Sequence, residues 1–379
     1  MSGVRGISGF IGVAALLGVC APALAHHGFG RFDPRGEFDM EGILTGLDFV
    51  NPHSYVYFDA IGEDGELTPM RCEMRAATVL RRSGWSPDMF EPGVVIRVVG
   101  NPHLDDPTSC YVETLTLGDT ELLRYQQLTD ASQEFSGNRP DRLASGERNI
   151  SGDWAQEQYL IARGPDGSGG GLVPKSMVGG IESGELTMAD VPPSGWGGQR
   201  VTFTEAGQAA ADAVRAIPPS ENLRAQCRIT SILFDWVFDG PINRITQRGD
   251  TITFEYGRDL VRTVYMDMDA HPADITPSRS GHSIGRWEGD TLVVDTVGFE
   301  PGLLGGTVAH TAELHVVERF SLDQETMSLR RDYVAEDPAY FTDQYAGYDI
   351  VKPADAPFAV DECRELTYID YSGAGGEAE

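Results

Sequence analysis

Two neighbouring segments of the second half, Thr251-Ile-Thr-Phe-Glu-Tyr256 and Val261-Arg-Thr-Val-Tyr-Met266, indicate its fold. Apolar and polar residues alternate in both segments, which is the period of a strand with one buried face. The turn sequence Arg248-Gly249-Asp250 precedes the first segment, and Glu288-Gly289-Asp290 precedes a similar one, Thr291-Leu-Val-Val-Asp-Thr296. Short strands separated by such turns predict an antiparallel meander that closes into a barrel.

The same pattern extends along the second half of the chain. Further strands are predicted at Leu314–Phe320 and Ser328–Tyr333. One helix is predicted from Thr204 to Ala216, where an Ala-rich run follows a Thr cap and ends before a proline. We assign residues 150–373 to a larger β-barrel domain and residues 374–379 to a disordered tail.

The first half also consists of short alternating segments. Ser54–Asp59 and Val94–Val99 read as strands, and one helix is predicted at Ala76–Ser83. Short strands with a single helix predict a small closed barrel of the oligonucleotide/oligosaccharide-binding (OB) type over residues 26–129. The polar stretch 130–149 has few apolar residues and is interpreted as a linker.

The first 25 residues have the order of a secretory signal peptide. A single charge at Arg5 is followed by an apolar run, Phe10–Val19, and by small residues at the cleavage positions of Cys20–Ala25. We expect cleavage after Ala25, or alternatively after Ala23, and a periplasmic or secreted mature protein. The apolar run is too short for a permanent anchor, and no later segment predicts insertion into a membrane.

The charge of the chain excludes two classes of partner. The formal net charge is −29, which repels nucleic-acid phosphates and anionic lipid headgroups. We therefore expect no nucleic acid and no anionic membrane surface among the partners.

The cysteines predict disulfide bonds. The chain has five cysteines, of which the signal peptide removes the first, and an even number in an oxidising compartment favours pairing. Three pairings of Cys72, Cys110, Cys227 and Cys363 are possible. We favour Cys72–Cys110 and Cys227–Cys363, because each pair then lies within one predicted domain. No Cys-x-x-Cys spacing is present, which argues against a zinc site.

Two short sequences resemble the lipocalin and calycin barrels, which bind small apolar molecules. Gly152-Asp153-Trp154 stands at the start of the second domain, and Gly285-Arg286-Trp287 repeats the pattern. This resemblance implies a lipocalin-like fold for the larger antiparallel barrel and a small hydrophobic molecule as its ligand. Together with the strand patterns, it predicts a chain that is mostly β, with a small OB-like barrel followed by the larger lipocalin-like barrel. We expect both tryptophans to pack at the base of the larger barrel.

A longer resemblance is to uncharacterised exported bacterial proteins. It rests on His26-His27-Gly28-Phe29, on Asn51-Pro52-His53-Ser54, on the run from Gly281 to Thr296, and on Glu318-Arg319-Phe320 and Glu336-Asp337-Pro338. It covers most of the mature chain, implies export, and implies no particular activity.

Histidines near the expected new N-terminus form the first candidate site. If cleavage follows Ala25, the α-amine and imidazole of His26 chelate one metal ion, and His27 and His53 can add nitrogen ligands. Nitrogen-rich tetragonal ligation suits Cu(II), and this arrangement resembles the histidine brace of copper monooxygenases. The earlier cut would make His26 the third residue, which resembles a square-planar copper or nickel terminus. A structural role for all three histidines is the alternative.

Polar residues of the second barrel form the second candidate site. They lie on or beside predicted strands: Glu255, Arg262, Asp267, His271, His282, Asp290 and Asp295. We expect Arg262 and His282 to point into the barrel, where they bind the polar end of an apolar ligand or act as acid and base. A cross-strand ion pair between Glu255 and Arg262 is the structural alternative. A serine nucleophile at Ser283 is disfavoured, because no Gly-x-Ser-x-Gly elbow is present.

The predicted sites lead to three functional hypotheses from different classes. They are a periplasmic protein that binds a small apolar or amphipathic molecule in the second barrel, a copper-binding or copper-dependent protein, and a hydrolase or isomerase of that barrel. The candidate catalytic residues are His282, Asp267, Arg262 and Glu255. The candidate ligand-binding residues are Arg262, His271, His282 and Trp287.

Overall fold

The computed structural model describes most of the chain. The described residues are 32–128, 140–167, 171–191, 200–217, 223, 228, 230–238, 240–360 and 363–364. The predicted signal peptide, His26, His27, Cys227 and the predicted tail lie outside these ranges. No helix within them is long and apolar enough to cross a membrane.

The first half forms a small closed barrel, which confirms the OB-like prediction. Its strands are β1 (Phe38–Asp48), β2 (Tyr55–Ile61), β3 (Leu67–Glu73), β4 (Val95–Pro102), β5 (Ser109–Leu117) and β6 (Thr120–Leu123). The hydrogen-bonded order is β3-β2-β1-β4-β5, and a parallel β3–β5 pair closes the ring, with β6 added to β5. The helix α1 (Ala77–Arg82) connects β3 to β4.

A disulfide bond lies at the closure of this barrel. Cys72 and Cys110 are directly opposite each other in the β3–β5 register and are bonded, as predicted. Both side chains are buried among apolar neighbours such as Val56 and Phe58. Cys363 is also disulfide-bonded, and its pairing with Cys227 stays a prediction.

The second half contains a larger closed barrel, again as predicted. The elements are β7 (Gly152–Ala155), β8 (Tyr159–Ala162), β9 (Gly171–Pro174), α2 (Val178–Ser183), α3 (Glu205–Arg215), β10 (Ile242–Arg248), β11 (Thr251–Tyr256), β12 (Leu260–Tyr265), β13 (His282–Glu288), β14 (Thr291–Val297), β15 (Gly302–Gly305), β16 (Val308–His310), β17 (His315–Asp323), β18 (Ser328–Glu336) and β19 (Tyr345–Pro353). The ring has nine strands in the order β10-β11-β12-β13-β14-β17-β18-β19-β7. As predicted from the sequence, Thr204 caps α3, since its hydroxyl accepts a hydrogen bond from Gly207 N–H.

One pair in this ring departs from the predicted antiparallel meander. A closed ring with an odd number of strands cannot alternate direction at every step, so one neighbouring pair must be parallel. That pair is β12–β13, joined over only two residue pairs. Parallel neighbours need a crossover connection, and residues 266–281 supply it.

Aromatic side chains fill the interior of the larger barrel where it is described. Residues 230–238 carry a short 3₁₀ turn, Phe234–Trp236, that packs against the barrel strands. The Trp236 ring lies 5.7 Å from Phe254, 5.5 Å from Tyr256 and 6.3 Å from Phe320, measured between ring centroids. This part of the barrel is therefore occupied by the protein's own side chains.

A buried arginine joins the two barrels. Arg82, at the end of α1, binds Asp355 with an Nε to Oδ1 distance of 2.6 Å. It also donates hydrogen bonds to the carbonyl oxygens of Gly240 and Gln156, at 2.9 Å and 2.7 Å. These contacts satisfy a guanidinium that is almost completely buried, so the barrels contact each other through a specific polar interface.

Candidate acid–base site

Neighbouring strands of the larger barrel carry polar residues on both faces. Because successive side chains of a strand point to opposite faces, adjacent residues on β13 and β14 are separated into two clusters. Ser283 and Thr296 are fully buried and point inward. His282 and Asp295, one position away on each strand, are partly exposed and point outward.

The inner cluster is built around Arg262, which points into the barrel as expected. Its guanidinium donates to Ser283 Oγ at 2.9 Å and to Thr296 Oγ1 at 2.8 Å, and Nη2 lies 2.5 Å from Glu318 Oε2. Arg262 is 1 % exposed and Glu318 is fully buried. The buried charge is therefore paired with a carboxylate that the sequence analysis did not include.

A second buried arginine extends this network. Arg331 binds the other oxygen of Glu318 at 3.2 Å and Asp349 at 2.5 Å, and it donates to the carbonyls of Ile232 and Leu233. Two arginines and two carboxylates leave the cluster electrically balanced. Burial raises the pKa of Tyr256, beside this cluster, to about 12. The inner network therefore holds buried charges that are paired, and removal of one partner would destabilise the barrel.

Two predicted partners of Arg262 lie elsewhere. In the β11–β12 register Glu255 is opposite Val261, whereas Arg262 is opposite Phe254. A shift of one residue reverses the face, so the alternative Glu255–Arg262 ion pair is wrong. Asp267 is exposed in the bend after β12. Neither carboxylate joins the inner cluster.

The serine next to His282 is also on the wrong face for catalysis with it. Ser283 is fully buried, where it accepts from Arg262 and contacts the Thr296 hydroxyl at 3.0 Å. His282 points outward, which corrects the expectation that it points into the barrel. The alternation of a strand is the physical reason, since Ser283 takes the inward position.

Three histidines and one aspartate form the outer cluster. His282 Nδ1 lies 2.8 Å from His271 Nδ1, and His271 Nε2 lies 3.0 Å from Asp295 Oδ1. His315 Nε2 lies 3.0 Å from the same oxygen. We call His282, His271, Asp295 and His315 the outer chain.

The crossover connection brings His271 into this chain. His282, Asp295 and His315 lie on β13, β14 and β17, which are neighbours in the ring. His271 lies on the 266–281 connection that the parallel β12–β13 pair requires. Two predicted site residues, His271 and His282, are therefore brought together by a connection that the predicted meander did not contain.

The ability of each group to donate or accept a hydrogen bond determines which ring nitrogens carry protons. An ionised carboxylate only accepts, so Asp295 requires N–H at His271 Nε2 and at His315 Nε2. A neutral His271 then has a lone pair at Nδ1, which accepts from Nδ1–H of His282. His282 Nε2 takes no part in the chain and carries a lone pair.

The surroundings of His282 favour this neutral form. Its ring stacks on Tyr265 with centroids 5.2 Å apart and planes at 18°. Burial lowers the pKa of His282, and the neighbouring His271 lowers it further. An imidazole that is neutral near physiological pH is suited to act as a base.

Three residues of these two clusters were not among the sequence-predicted candidates. His315 and Glu318 both belong to the predicted strand Leu314–Phe320, and Arg331 belongs to Ser328–Tyr333. Strand alternation places His315 and Glu318 on opposite faces, and that signal was present in the sequence. What was missing was the ring order, which makes β14 and β17 neighbours although β15 and β16 separate them along the chain.

Trp154 and Trp287 differ in burial. Trp154 is fully buried in the core, and its indole N–H donates to the Ile150 carbonyl at 2.9 Å. Trp287 is partly buried and packs against the same core from β13. Both therefore pack in the core, as expected. Trp287 does not belong to the inner Arg262 cluster, because Ser283 is the residue of β13 that contacts Arg262 and Trp287 lies further along the same strand.

The predicted metal ligands are only partly described. His53 Nδ1 lies 2.5 Å from Glu73 Oε1 at the edge of the small barrel. No group of three or more His, Cys, Asp or Glu residues in the described ranges is arranged to hold a metal ion. His26 and His27 lie outside those ranges, so the copper site stays a prediction.

Comparison with known proteins gives one match. A family model with the description "Family of unknown function (DUF6152)" matches residues 14–110, a range that ends within β5 of the small barrel. No curated protein and no solved structure matches the chain. The larger barrel, with both of its polar clusters, lies outside the matched range.

Proposed function

We propose that the protein is an exported enzyme that transfers protons on a small molecule at the outer face of its larger barrel, with His282 as the general base. One observation carries the proposal. His282, His271 and Asp295 form an unbroken hydrogen-bonded chain that ends on an imidazole nitrogen with a lone pair. A base that is oriented by a second group, which is itself oriented by a carboxylate, is a recurring catalytic arrangement.

The chain supports a specific proton movement. His282 Nε2 accepts a proton from the substrate, and the positive charge that forms on His282 is shared with His271 through their Nδ1 contact. Asp295 keeps His271 in the tautomer that accepts from His282, and its negative charge stabilises the imidazolium. His271 and Asp295 are thus positioning residues, and His282 is the group that touches the substrate.

Export is part of this proposal. The predicted signal peptide and the Cys72–Cys110 disulfide support it, because structural disulfides persist in oxidising compartments. The resemblance of the run from Gly281 to Thr296 to exported bacterial proteins supports it as well. Two residues of the outer chain, His282 and Asp295, belong to that run.

The other two hypotheses from the sequence stay predictions. A ligand inside the barrel would need space where Trp236 packs against Phe254 and Phe320. A copper site would need His26 and His27, which lie outside the described residues. The outer chain is favoured because its donor atoms are in contact and partly open to solvent.

Nuclear magnetic resonance of the histidine rings tests the proposal. The full mature chain is labelled with ¹⁵N-histidine, and long-range ¹H–¹⁵N correlations at neutral pH report which ring nitrogen carries the proton. We expect Nδ1–H on His282 and Nε2–H on both His271 and His315. A proton on Nδ1 of His271, or on Nε2 of neutral His282, would overturn the proposal.

Matched variants and a metal titration complete this experiment. Asp295→Asn should shift the ring signals of His271 and His315, whereas Glu255→Gln, on the outer face of a strand outside the chain, should leave them unchanged. Titration with zinc distinguishes a metal centre. If the three rings shift together at one equivalent of zinc, the cluster binds metal and the proton-transfer proposal fails.

A further inference from the structure

The crossover connection 266–281 begins and ends at two stacked aromatic rings. Tyr265 is the last residue of β12, and His282 is the first residue of β13. Their ring centroids lie 5.2 Å apart and their planes are inclined by 18°, within the range of offset-stacked aromatic pairs. The stack therefore closes the base of the connection that carries His271 to the outer chain.

The pairing of β12 with β13 places the two rings on the same face of the barrel wall. The parallel register pairs Val264 with Ser283 and Tyr265 with Ile284, so Tyr265 lies diagonally across from His282. Val264 and Ser283 are fully buried, and the residues next to them along each strand therefore point outward. The contact between the two rings is thus fixed by the backbone of the barrel wall.

Two contacts restrain the His282 ring in different ways. The χ2 torsion of a histidine has broad preferences, so the side chain alone does not fix the plane of its ring. The stack on Tyr265 restrains that plane. The 2.8 Å contact between the Nδ1 atoms of His282 and His271 restrains which edge of the ring faces His271. Because a hydrogen bond weakens as its donor angle departs from linear, a tilted His282 ring would lose part of this contact.

We propose that Tyr265 is a positioning residue for the base, because its ring holds the His282 imidazole in the plane in which Nδ1–H points at His271. The inference rests on the proposed function, in which His282 Nε2 accepts the proton. The Tyr265 hydroxyl makes no hydrogen bond to another residue that the structure describes, so the aromatic face supplies the effect. Phenylalanine can therefore take this role, whereas leucine, which has no flat ring, cannot. Tyr265 is 37 % exposed, so its replacement leaves the core intact.

Ring spectra of the ¹⁵N-histidine-labelled mature chain test this role in Tyr265→Phe and Tyr265→Leu. An aromatic pair contributes an equilibrium factor of about two to ten beyond the burial of its area. We therefore expect the fraction of His282 that carries Nε2–H to rise by about that factor in the leucine variant and to stay unchanged in the phenylalanine variant. His271 and His315 should keep Nε2–H in both variants, because Asp295 accepts from those nitrogens.

A second exposed tyrosine provides the control. Tyr348, on β19, is 59 % exposed and stacks with Arg330 rather than with the outer chain, so Tyr348→Leu should leave the His282 signals unchanged.

The outcomes separate this role from the proposed function. If the unmodified protein carries Nδ1–H on His282 and Tyr265→Leu has the same tautomer fraction, Tyr265 is not a positioning residue and the base assignment stands. Equal changes in the phenylalanine and leucine variants would assign the effect to the hydroxyl and overturn the proposal. Changes at His271 and His315 as large as those at His282 would show a general structural role and overturn it as well. Nε2–H on His282 in the unmodified protein would overturn both proposals.

Discussion

The inner and outer faces of strands β13, β14 and β17 carry polar clusters with opposite properties. On the inner face, Arg262 and Glu318 are buried, mutually neutralised and held by several hydrogen bonds. On the outer face, His282 and Asp295 are partly exposed and linked by single contacts through His271. The same strands therefore supply a stabilising network on one side and a titratable chain on the other. The difference follows from alternation and burial, since buried charges must be paired whereas half-exposed imidazoles can change protonation state.

We expect the largest difference in stability between the two faces when one carboxylate on each face is replaced by its amide. Glu318→Gln leaves Arg262 without its charge partner in the interior and should destabilise the protein by about 3–5 kcal/mol. Asp295→Asn, on the outer face, should cost less than about 1 kcal/mol. Urea unfolding monitored by tryptophan fluorescence measures both values. Equal losses would show that the outer chain is also part of the structural core.

Replacement of the two tryptophans by alanine should give a smaller difference in stability. Trp154→Ala removes a fully buried ring and should cost about 3–5 kcal/mol, whereas Trp287→Ala should cost less because Trp287 is only partly buried. Thermal unfolding of the two variants gives the comparison. A larger loss for Trp287 would contradict the burial order of the two rings.

Ser283 and His282 are adjacent on β13 but lie on opposite faces, so variants of the two residues allow a direct comparison of stability. Ser283→Ala removes an acceptor from buried Arg262 and should cost about 1–3 kcal/mol. His282→Gln should change stability by less than about 0.5 kcal/mol, as is typical of a partly exposed position, while it removes the base. Urea unfolding of both proteins measures the two stabilities. The opposite order of stability losses would assign His282 a structural role.

The smallest effect concerns the response of stability to acid. Burial lowers the pKa of both His282 and His310, so both bind protons less readily in the folded state than in the unfolded state. The stability they contribute is present above the unfolded value of about 6.5. It is lost as pH falls through the lower folded pKa.

The two histidines differ in what surrounds them, which allows a test. His310 is packed against Phe299, contacts the Thr311 carbonyl and faces Asp337. His282 faces His271 and Tyr265. Unfolding midpoints measured at pH 7 and at pH 5 should differ less in His310→Gln than in the unmodified protein. An unchanged pH response would mean that His310 does not titrate between these values.

Local pattern was sufficient to predict much of the fold, but only part of the candidate site. Alternation in Thr251–Tyr256 and Val261–Met266 predicted strands that the structure contains as β11 and β12. The same alternation was insufficient to say which strands are neighbours. It was also insufficient to give the register. The Glu255–Arg262 pair is wrong although β11 and β12 are neighbours, because Glu255 is opposite Val261 and Arg262 is opposite Phe254.

Residue patterns along the chain were enough to predict two β-barrels, a Cys72–Cys110 disulfide, and histidines and carboxylates of the second barrel as candidates for chemistry. These properties depend on residue period, turn composition and residue type, which are local. The face that each polar residue occupies, and the residues that it contacts, depend on how the strands are arranged in the closed ring. The nine-strand ring requires one parallel pair, the parallel pair requires a crossover connection, and that connection carries His271 to His282 and Asp295. Closure of the ring is a property of the whole barrel, so no segment read alone contains it.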